Sequence, residues 1–370
     1  MPGRTHLRAR TELSTGRRPR WRHRIGIGSL CHVDRANQNP STAQEPSTSS
    51  WLRSELLRDG MTPRDLRAMT VSGEWTRLRR GSYLSRENWD RMDAAERHRV
   101  RAGDIGRQLV DGAAISHLSA AVVHGLPIPP MTLPRVHVTW PMSPGRRGTT
   151  NIHPHRGRVD AADLTVVDGI PVTDIARTVF DVARASGPRT AVAVADGALR
   201  LKRCGPADLV GVLDRYRNTP GGRRVTRIVD FADGRSDSVG ESISRVQFAQ
   251  IGLPAPDLQA RIANAEGEIF AQVDFEFTGL RTVGEFDGRQ KYVRLLRPGQ
   301  TPSDVVFAEK VREDRIRDTG RQVVRLVWDD LNRNIVVLTR FRAAFARAGH
   351  PEWRPGFRRF VTKELVRESV

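Results

Sequence analysis

The sequence predicts an α+β multi-domain protein, and three observations carry that reading. Residues 51–85 order two short helices and an arginine-rich hairpin, the arrangement of a winged helix-turn-helix. Residues 86–232 form a mixed α/β middle domain in which amphipathic helices alternate with short strands. Residues 233–348 then run helix, three period-two strands, helix, strand, an αβββαβ order. Residues 1–50 read as a basic and polar tail, and 349–370 as a basic C-terminal extension.

Composition bounds the partners. A chain of 370 residues with 38% apolar content builds two or three real cores. Lys and Arg number 61 against 42 Asp and Glu, a net charge of +19, which favours a polyanion such as nucleic acid over an acidic small molecule. Basic surface alone does not choose between DNA, RNA and membrane headgroups. No run of about 18 apolar residues exists, so no membrane span is expected, and the Arg-rich start lacks the apolar segment of a secretory signal. The expected location is the cytoplasm. Cys31 and Cys204 stand far apart without metal-type spacing, which fits a reducing compartment and excludes a zinc finger.

From Met1 to about Ser50 the chain is Arg-rich and then Ser/Thr/Pro/Gln-rich with no sustained apolar period, so disorder is expected. It is either a DNA-touching arm, an inert tail or a misassigned translation start. From Trp51 the pattern changes. Leu52, Leu56 and Leu57 have helical spacing, Asp59-Gly60 ends that helix, and Thr62-Pro63 caps the next. The second helix runs to about Val71 with Leu66 and Met69 inward, and Ser72-Gly73 stops it. Trp75 to Leu84 alternates and turns at Gly81 like a two-stranded wing. In such a module the second helix enters the major groove and the wing touches backbone. Arg64 and Arg67 share one helix face, while Arg77, Arg79 and Arg80 crowd the wing, so these five are the candidate DNA contacts. The bland alternative is a small helical subdomain with solvated arginines.

In the middle region, Ala94 to Val110 and Ala114 to Leu126 read as helices, and Pro127, Pro129 and Pro130 force a loop. Val136 to Trp140 and Asn151 to His155 read as strands, and Val172 to Ala185 and Arg189 to Leu201 as amphipathic helices. The spacings of His117, His124, His137, His153 and His155 form no recognisable ligand set, so satisfied or solvent-facing histidines are expected.

The C-terminal segment carries the candidate chemistry. Val239, Ile243 and Val246 make a core stripe on one helix, with Glu241 on the opposite face beside Phe248, so Glu241 either faces water or packs against something. Leu258 to Ala263, Ile269 to Phe277 and Leu280 to Asp287 alternate as strands. Period two puts Ile269, Ala271, Val273, Phe275 and Phe277 on one face and Gln272, Asp274 and Glu276 on the other, with Val283, Glu285 and Asp287 sharing a face on the next strand. Asp274 and Glu285 can therefore converge. Carboxylates this close repel unless a hard cation sits between them, and Mg²⁺ is the usual one. Glu241, Asp274 and Glu285 are the candidate metal ligands, with Asp287 and Lys291 completing the candidate catalytic set. Lys310, Arg312 and Arg315, with Arg289 and Arg294, either hold phosphates beside the carboxylates or belong to a solvated face interleaved with Glu309, Glu313 and Asp314.

Two resemblances add to this reading. The stretch from Ser54 to about Leu201, through Glu55 to Leu66, the wing Leu78 to Tyr83, Ser116 to Ala121 with His124-Gly125-Leu126, and Val167 to Thr173, resembles the AbiEi family of abortive-infection antitoxins. Members bind promoter DNA through a winged helix and repress their own operon as the DNA-binding half of type IV toxin-antitoxin pairs. The stretch from about Ser238 to Leu331 resembles the restriction-endonuclease-like fold, in its branch akin to very-short-patch-repair endonucleases. Val273-Asp274-Phe275, Gly284 to Gly288, Asp314-Arg315 and Gly320 to Trp328 carry that likeness. The common nuclease motif ends in Glu-x-Lys, whereas Asp287 stands in the third position here, leaving Lys291 or Lys310 for the lysine's role.

The expectation is a DNA-binding antitoxin or transcriptional regulator carrying a nuclease-like domain. Its rival is a Mg²⁺-dependent DNA endonuclease of repair or defence using Glu241, Asp274 and Glu285. A third reading is an interaction protein that neutralises a cognate toxin.

Overall fold

Trp51 and Leu52 start a strand rather than the first helix. In the computed structural model, which describes residues 50–141, 150–288 and 301–356, β1 (Trp51–Leu52) pairs antiparallel with β3 (Ser82–Ser85), which also pairs with β2 (Trp75–Arg79). Helix α1 (Arg53–Arg58) follows β1, and its first turn is held by the Glu55 carboxylate, which accepts from Leu52 N at 2.7 Å. α2 (Pro63–Val71) begins where the spacing predicts. Thr62 Oγ1 accepts from Asp65 N at 3.2 Å and the Asp65 carboxylate accepts from Thr62 N at 2.9 Å, a reciprocal cap with Pro63 at the first helical position. Leu56, Met61, Leu66, Met69 and Trp75 are the core under this sheet, and Gly81 at φ +83° makes the hairpin turn. α3 (Arg86–Arg91) closes this part of the chain. The described residues up to Asp93 form one compact unit and those from Ala94 on another. The tail read as disordered, 1–49, lies outside the described residues.

The second unit contains two sheets. α4 (Ala94–Gly106) leads to β4 (Ala114–Ile115) and α5 (His117–Val123). Ala114 and Ile115 therefore belong to a strand, not to the helix the apolar run predicts: they are buried between β5 (Val136–Trp140) and β8 (Ile170–Thr173). With β6 (Ile152–Arg156) and β7 (Leu164–Val167) the sheet order is β6-β5-β4-β8-β7. The β7–β8 hairpin turns on Asp168-Gly169, both at positive φ, an Asp-Gly signal that marks a tight hairpin.

Four helices follow. α6 (Ile175–Ala185), capped by Asp174, packs with α7 (Pro188–Arg200), α8 (Pro206–Arg215) and α9 (Gly222–Phe231) around Val179, Phe180, Val194, Leu209 and Ile228. α10 (Val239–Gln250) lies against α7, and Arg245 and Asp196 form a buried ion pair between them at 2.7 Å. That contact runs across the boundary read from composition near residue 232.

The second sheet has the order β12-β11-β10-β9, with β9 (Asp257–Ala263), β10 (Ile269–Phe277) and β11 (Thr282–Phe286) an antiparallel meander. α11 (Pro302–Asp318) crosses back so that β12 (Gln322–Leu326) runs parallel to β11, and α12 (Asn334–Arg347) follows. Strict alternation fails at one place. Ala271 and Val273 pack with Ala260, Ile262 and Ile316, but Phe275 and Phe277 pack with Phe248, Phe341 and Phe345 on the other side. The face expected to hold all four changes side at Asp274, opposite Gln259, whose φ of +53° leaves extended geometry. Among the described residues no helix is long and apolar enough to cross a membrane.

Candidate functional site

Glu241 reaches the sheet because a glycine precedes it. A Cβ at Gly240 would meet Phe286 Cε1 at 2.0 Å, so only glycine lets the first turn of α10 press against β11. Ser238 caps that turn, its hydroxyl accepting from Glu241 N at 3.1 Å. The Glu241 side chain is thus inside, 2% exposed, which removes the water-facing alternative.

Its Oε2 accepts from Asp237 N at 2.8 Å and from Gln259 Nε2 at 2.9 Å. The same Gln259 nitrogen is 3.5 Å from Asp274 Oδ1, and Asp274 Oδ2 accepts from Phe286 N at 2.7 Å. Gln272 Nε2 donates to Gln259 Oε1, which fixes the orientation of the bridging amide. Burial first, and the Asp274 charge second, push the Glu241 carboxyl up to about 7, against the donors at Asp237 and Ser238.

Glu285 is drawn elsewhere. Its Oε1 accepts from Arg312 Nη2 at 2.6 Å, and Arg325 Nη2 lies 3.5 Å from Oε2. Arg312 and Arg325 also grip Glu309, and Arg325 grips Glu313. Burial raises the Glu285 carboxyl while the two arginines oppose it. Glu241, Asp274 and Glu285 are not among the triads that the described residues bring within metal-binding reach. The structure unites two of them through Gln259 and ties the third to arginines. The Gln259 amide lies between the Glu241 and Asp274 carboxylates, and Glu285 pairs with Arg312.

Asp287 is half-buried at the end of β11, its N–H donating to Leu326 O at 2.7 Å. Lys291, Arg289 and Arg294 lie outside the described residues. On α11, Lys310 is exposed and the Arg315 guanidinium stands 4.5 Å from the Phe270 ring centroid, so only Arg312 enters the carboxylate region. Gln259, Arg312 and Arg325 have roles that spacing did not reveal, because each depends on which strand or helix lies opposite.

On the first unit, Arg64, Arg67, Arg77 and Arg80 are exposed and Arg79 is half-buried. Among the described residues Arg64, Arg67 and Arg80 have no carboxylate partner, and Arg77 Nε donates to Arg79 O at 3.3 Å. This cationic surface is available to an anion.

The histidines divide. His124 Nε2 is satisfied by Thr173 O at 2.7 Å, as expected. His117, His137 and His155, whose spacings form no recognisable ligand set, bring their ligand nitrogens within 4.8 Å of one another. The parallel pairing of β5 with β6 brings His137 and His155 together, and His117 joins them from the start of α5, which linear spacing does not show.

No protein-family model matches the chain. It is similar to two uncharacterized proteins of Mycobacterium tuberculosis, MT2308 of strain CDC 1551 and Rv2248 of strain H37Rv, each 30% identical over 172 residues. The match covers 46% of this chain and 60% of each relative's length. Among solved structures, the crystal structure of RV2827C protein from Mycobacterium tuberculosis aligns with 49% of this chain and 71% of its own, at 16% identity and a TM-score of 0.33. A likeness at that level is too loose to assign a function.

Proposed function

We propose that this chain is a DNA-binding protein of antitoxin or transcriptional-regulator type, with a winged helix-turn-helix at residues 51–85 and a restriction-endonuclease-like domain at residues 233–348. One observation carries the reading: Arg64 and Arg67 stand exposed on the capped helix α2, and Arg77 and Arg80 stand exposed on the β2–β3 hairpin that follows. Two cationic elements in that order present charge to a groove and to the flanking phosphates. The net charge of +19 supports an anionic partner, and the AbiEi resemblance supports promoter DNA as that partner. A mobility-shift assay on duplex DNA tests it. Binding is expected for the native chain and abolished on changing Arg64, Arg67, Arg77 and Arg80 together to Ala; undiminished binding by that variant refutes the assignment to this module.

A second reading, a Mg²⁺-dependent DNA endonuclease, is favoured by the Glu241–Gln259–Asp274 arrangement. A bound Mg²⁺ would polarise a phosphodiester and activate a water. In this chain Glu241 and Asp274 would hold the ion, and Gln259 would orient both carboxylates. Arg312 pairs with Glu285 at 2.6 Å at the edge of the site. Supercoiled and mismatched DNA incubated with Mg²⁺ or Mn²⁺ tests this reading. Cleavage abolished by Asp274→Ala supports it, and cleavage absent under all conditions leaves the regulator alone.

A further inference from the structure

We propose that His117, His137 and His155 form a binding site for a divalent transition metal of the Zn²⁺ class. The three side chains come from three elements: His117 opens α5 directly behind β4, His137 lies on β5, and His155 lies on the edge strand β6. Their ligand nitrogens all fall within 4.8 Å of one another. The His117 and His155 rings stack at 3.5 Å between centroids, and His137 Nδ1 is 2.8 Å from His155 Nε2. His153, opposite His137 in the β5–β6 register, stacks on both His137 and His155.

Two observations set this group apart from a chance gathering of rings. His117 is 2% exposed, and its Nε2 is buried with no hydrogen-bond partner among the described residues. An orphaned polar atom in the interior is costly, and a metal ion supplies the missing partner. Its other nitrogen is held by Ser116 Oγ at 2.9 Å, a hydroxyl that also accepts from Thr139 Oγ1 at 2.8 Å. With Nδ1–H donating to Ser116, the Nε2 lone pair is left for a ligand, the outer-shell pattern of metal-bound histidine. The second observation is the backbone: His117 sits at φ +53°, a region seldom adopted by a residue with a side chain, and the ring it carries lies on His155.

The donor set selects the ion. Three imidazole nitrogens without a carboxylate suit Zn²⁺, Co²⁺, Ni²⁺ or Cu²⁺ rather than Mg²⁺ or Ca²⁺, so this site is chemically distinct from the Glu241–Asp274 pair. Four-coordinate Zn–N bonds of about 2.0–2.1 Å require the His117 and His155 rings to rotate out of their stack so that the nitrogens converge. The bound ion would fasten edge strand β6 to β5 and to the start of α5.

The test uses the 370-residue chain without a histidine tag, stripped by chelator and titrated with Zn²⁺ in a calorimeter and with Co²⁺ in a spectrophotometer. The expected result is one equivalent of Zn²⁺, the intense visible absorption of four-coordinate Co²⁺, and a rise in Tm with Zn²⁺. His117→Asn, which tolerates the positive φ, and His155→Ala should each weaken binding by on the order of 100-fold or more while folding without metal. His350→Ala, outside the cluster, should leave binding unchanged. Failure of the stripped native chain to take up Zn²⁺, an octahedral Co²⁺ spectrum, or tight binding that survives both cluster variants overturns the proposal. The native Co²⁺ spectrum decides the matter even if a variant does not fold.

Discussion

The side-chain amide of Gln259 lies between two carboxylates, donating to Glu241 Oε2 at 2.9 Å with Asp274 Oδ1 3.5 Å from the same nitrogen. Burial first, and the neighbouring charge of Asp274 second, lead Glu241 to hold its proton up to about pH 7. The native state then binds more protons than the unfolded chain between the ordinary glutamate value of about 4.3 and 7. Stability contributed by Glu241 therefore falls as pH rises through that window, and the full cost is present above it.

Glu241→Gln removes this titration. At pH 8 the variant should be more stable than the native chain by up to about 3 kcal/mol, and at pH 4 the two should converge. Urea unfolding of both proteins across that range measures the difference. A gap that does not widen with pH contradicts the assignment of the raised carboxyl to Glu241.

Gly240→Ala places a methyl group where the Phe286 ring now sits, 2.0 Å from Cε1. Displacing a packed aromatic ring should cost about 1–3 kcal/mol and move Glu241 away from Gln259. Phe286→Leu in the same chain removes the clashing ring atoms and should recover part of the stability. Thermal unfolding of the single and double variants checks this, and a Gly240→Ala protein as stable as the native one would show that α10 stands further from β11.

Arg245 pairs with Asp196 at 2.7 Å and donates to Phe231 O at 2.7 Å, while Asp196 is otherwise held by Asp233 N at 2.8 Å. Arg245→Met leaves a buried carboxylate without its cation, at a cost of about 3–5 kcal/mol. Adding Asp196→Asn should restore stability in part, because the uncompensated charge is the main penalty. Equal destabilisation by the single and double variants would place the cost in the missing packing of the arginine stem instead.

Much of this architecture is legible in the chain. Thr62-Pro63 with Asp65 announces α2, and Val136–Trp140 and Ile269–Phe277 take the strand bounds that their alternation gives. Alternation points Asp274 toward Glu285, whereas the structure joins Asp274 to Glu241 through Gln259 and gives Glu285 to Arg312. Other features escape a linear reading. The side change at Asp274 depends on the unusual backbone of Gln259 on a neighbouring strand, and the capture of Glu285 depends on α11 laying Arg312 over the sheet. Ala114-Ile115 looks helical because an apolar run of small residues has no period of its own; the neighbours β5 and β8 make it a strand. The Asp168-Gly169 hairpin was open to detection, since the turn pair stands between two apolar segments.

The central claim is that the arginines of α2 and the β2–β3 hairpin bind DNA phosphates and groove edges. The most direct measurement is the affinity of the chain for duplex DNA at several salt concentrations, plotted as log K against log salt. The native slope should be steeply negative, and replacing Arg64, Arg67, Arg77 and Arg80 by Ala one after another should flatten it by about 0.9 for each phosphate no longer neutralised. A slope that is the same with all four arginines replaced would contradict the account and move any DNA binding to another part of the chain.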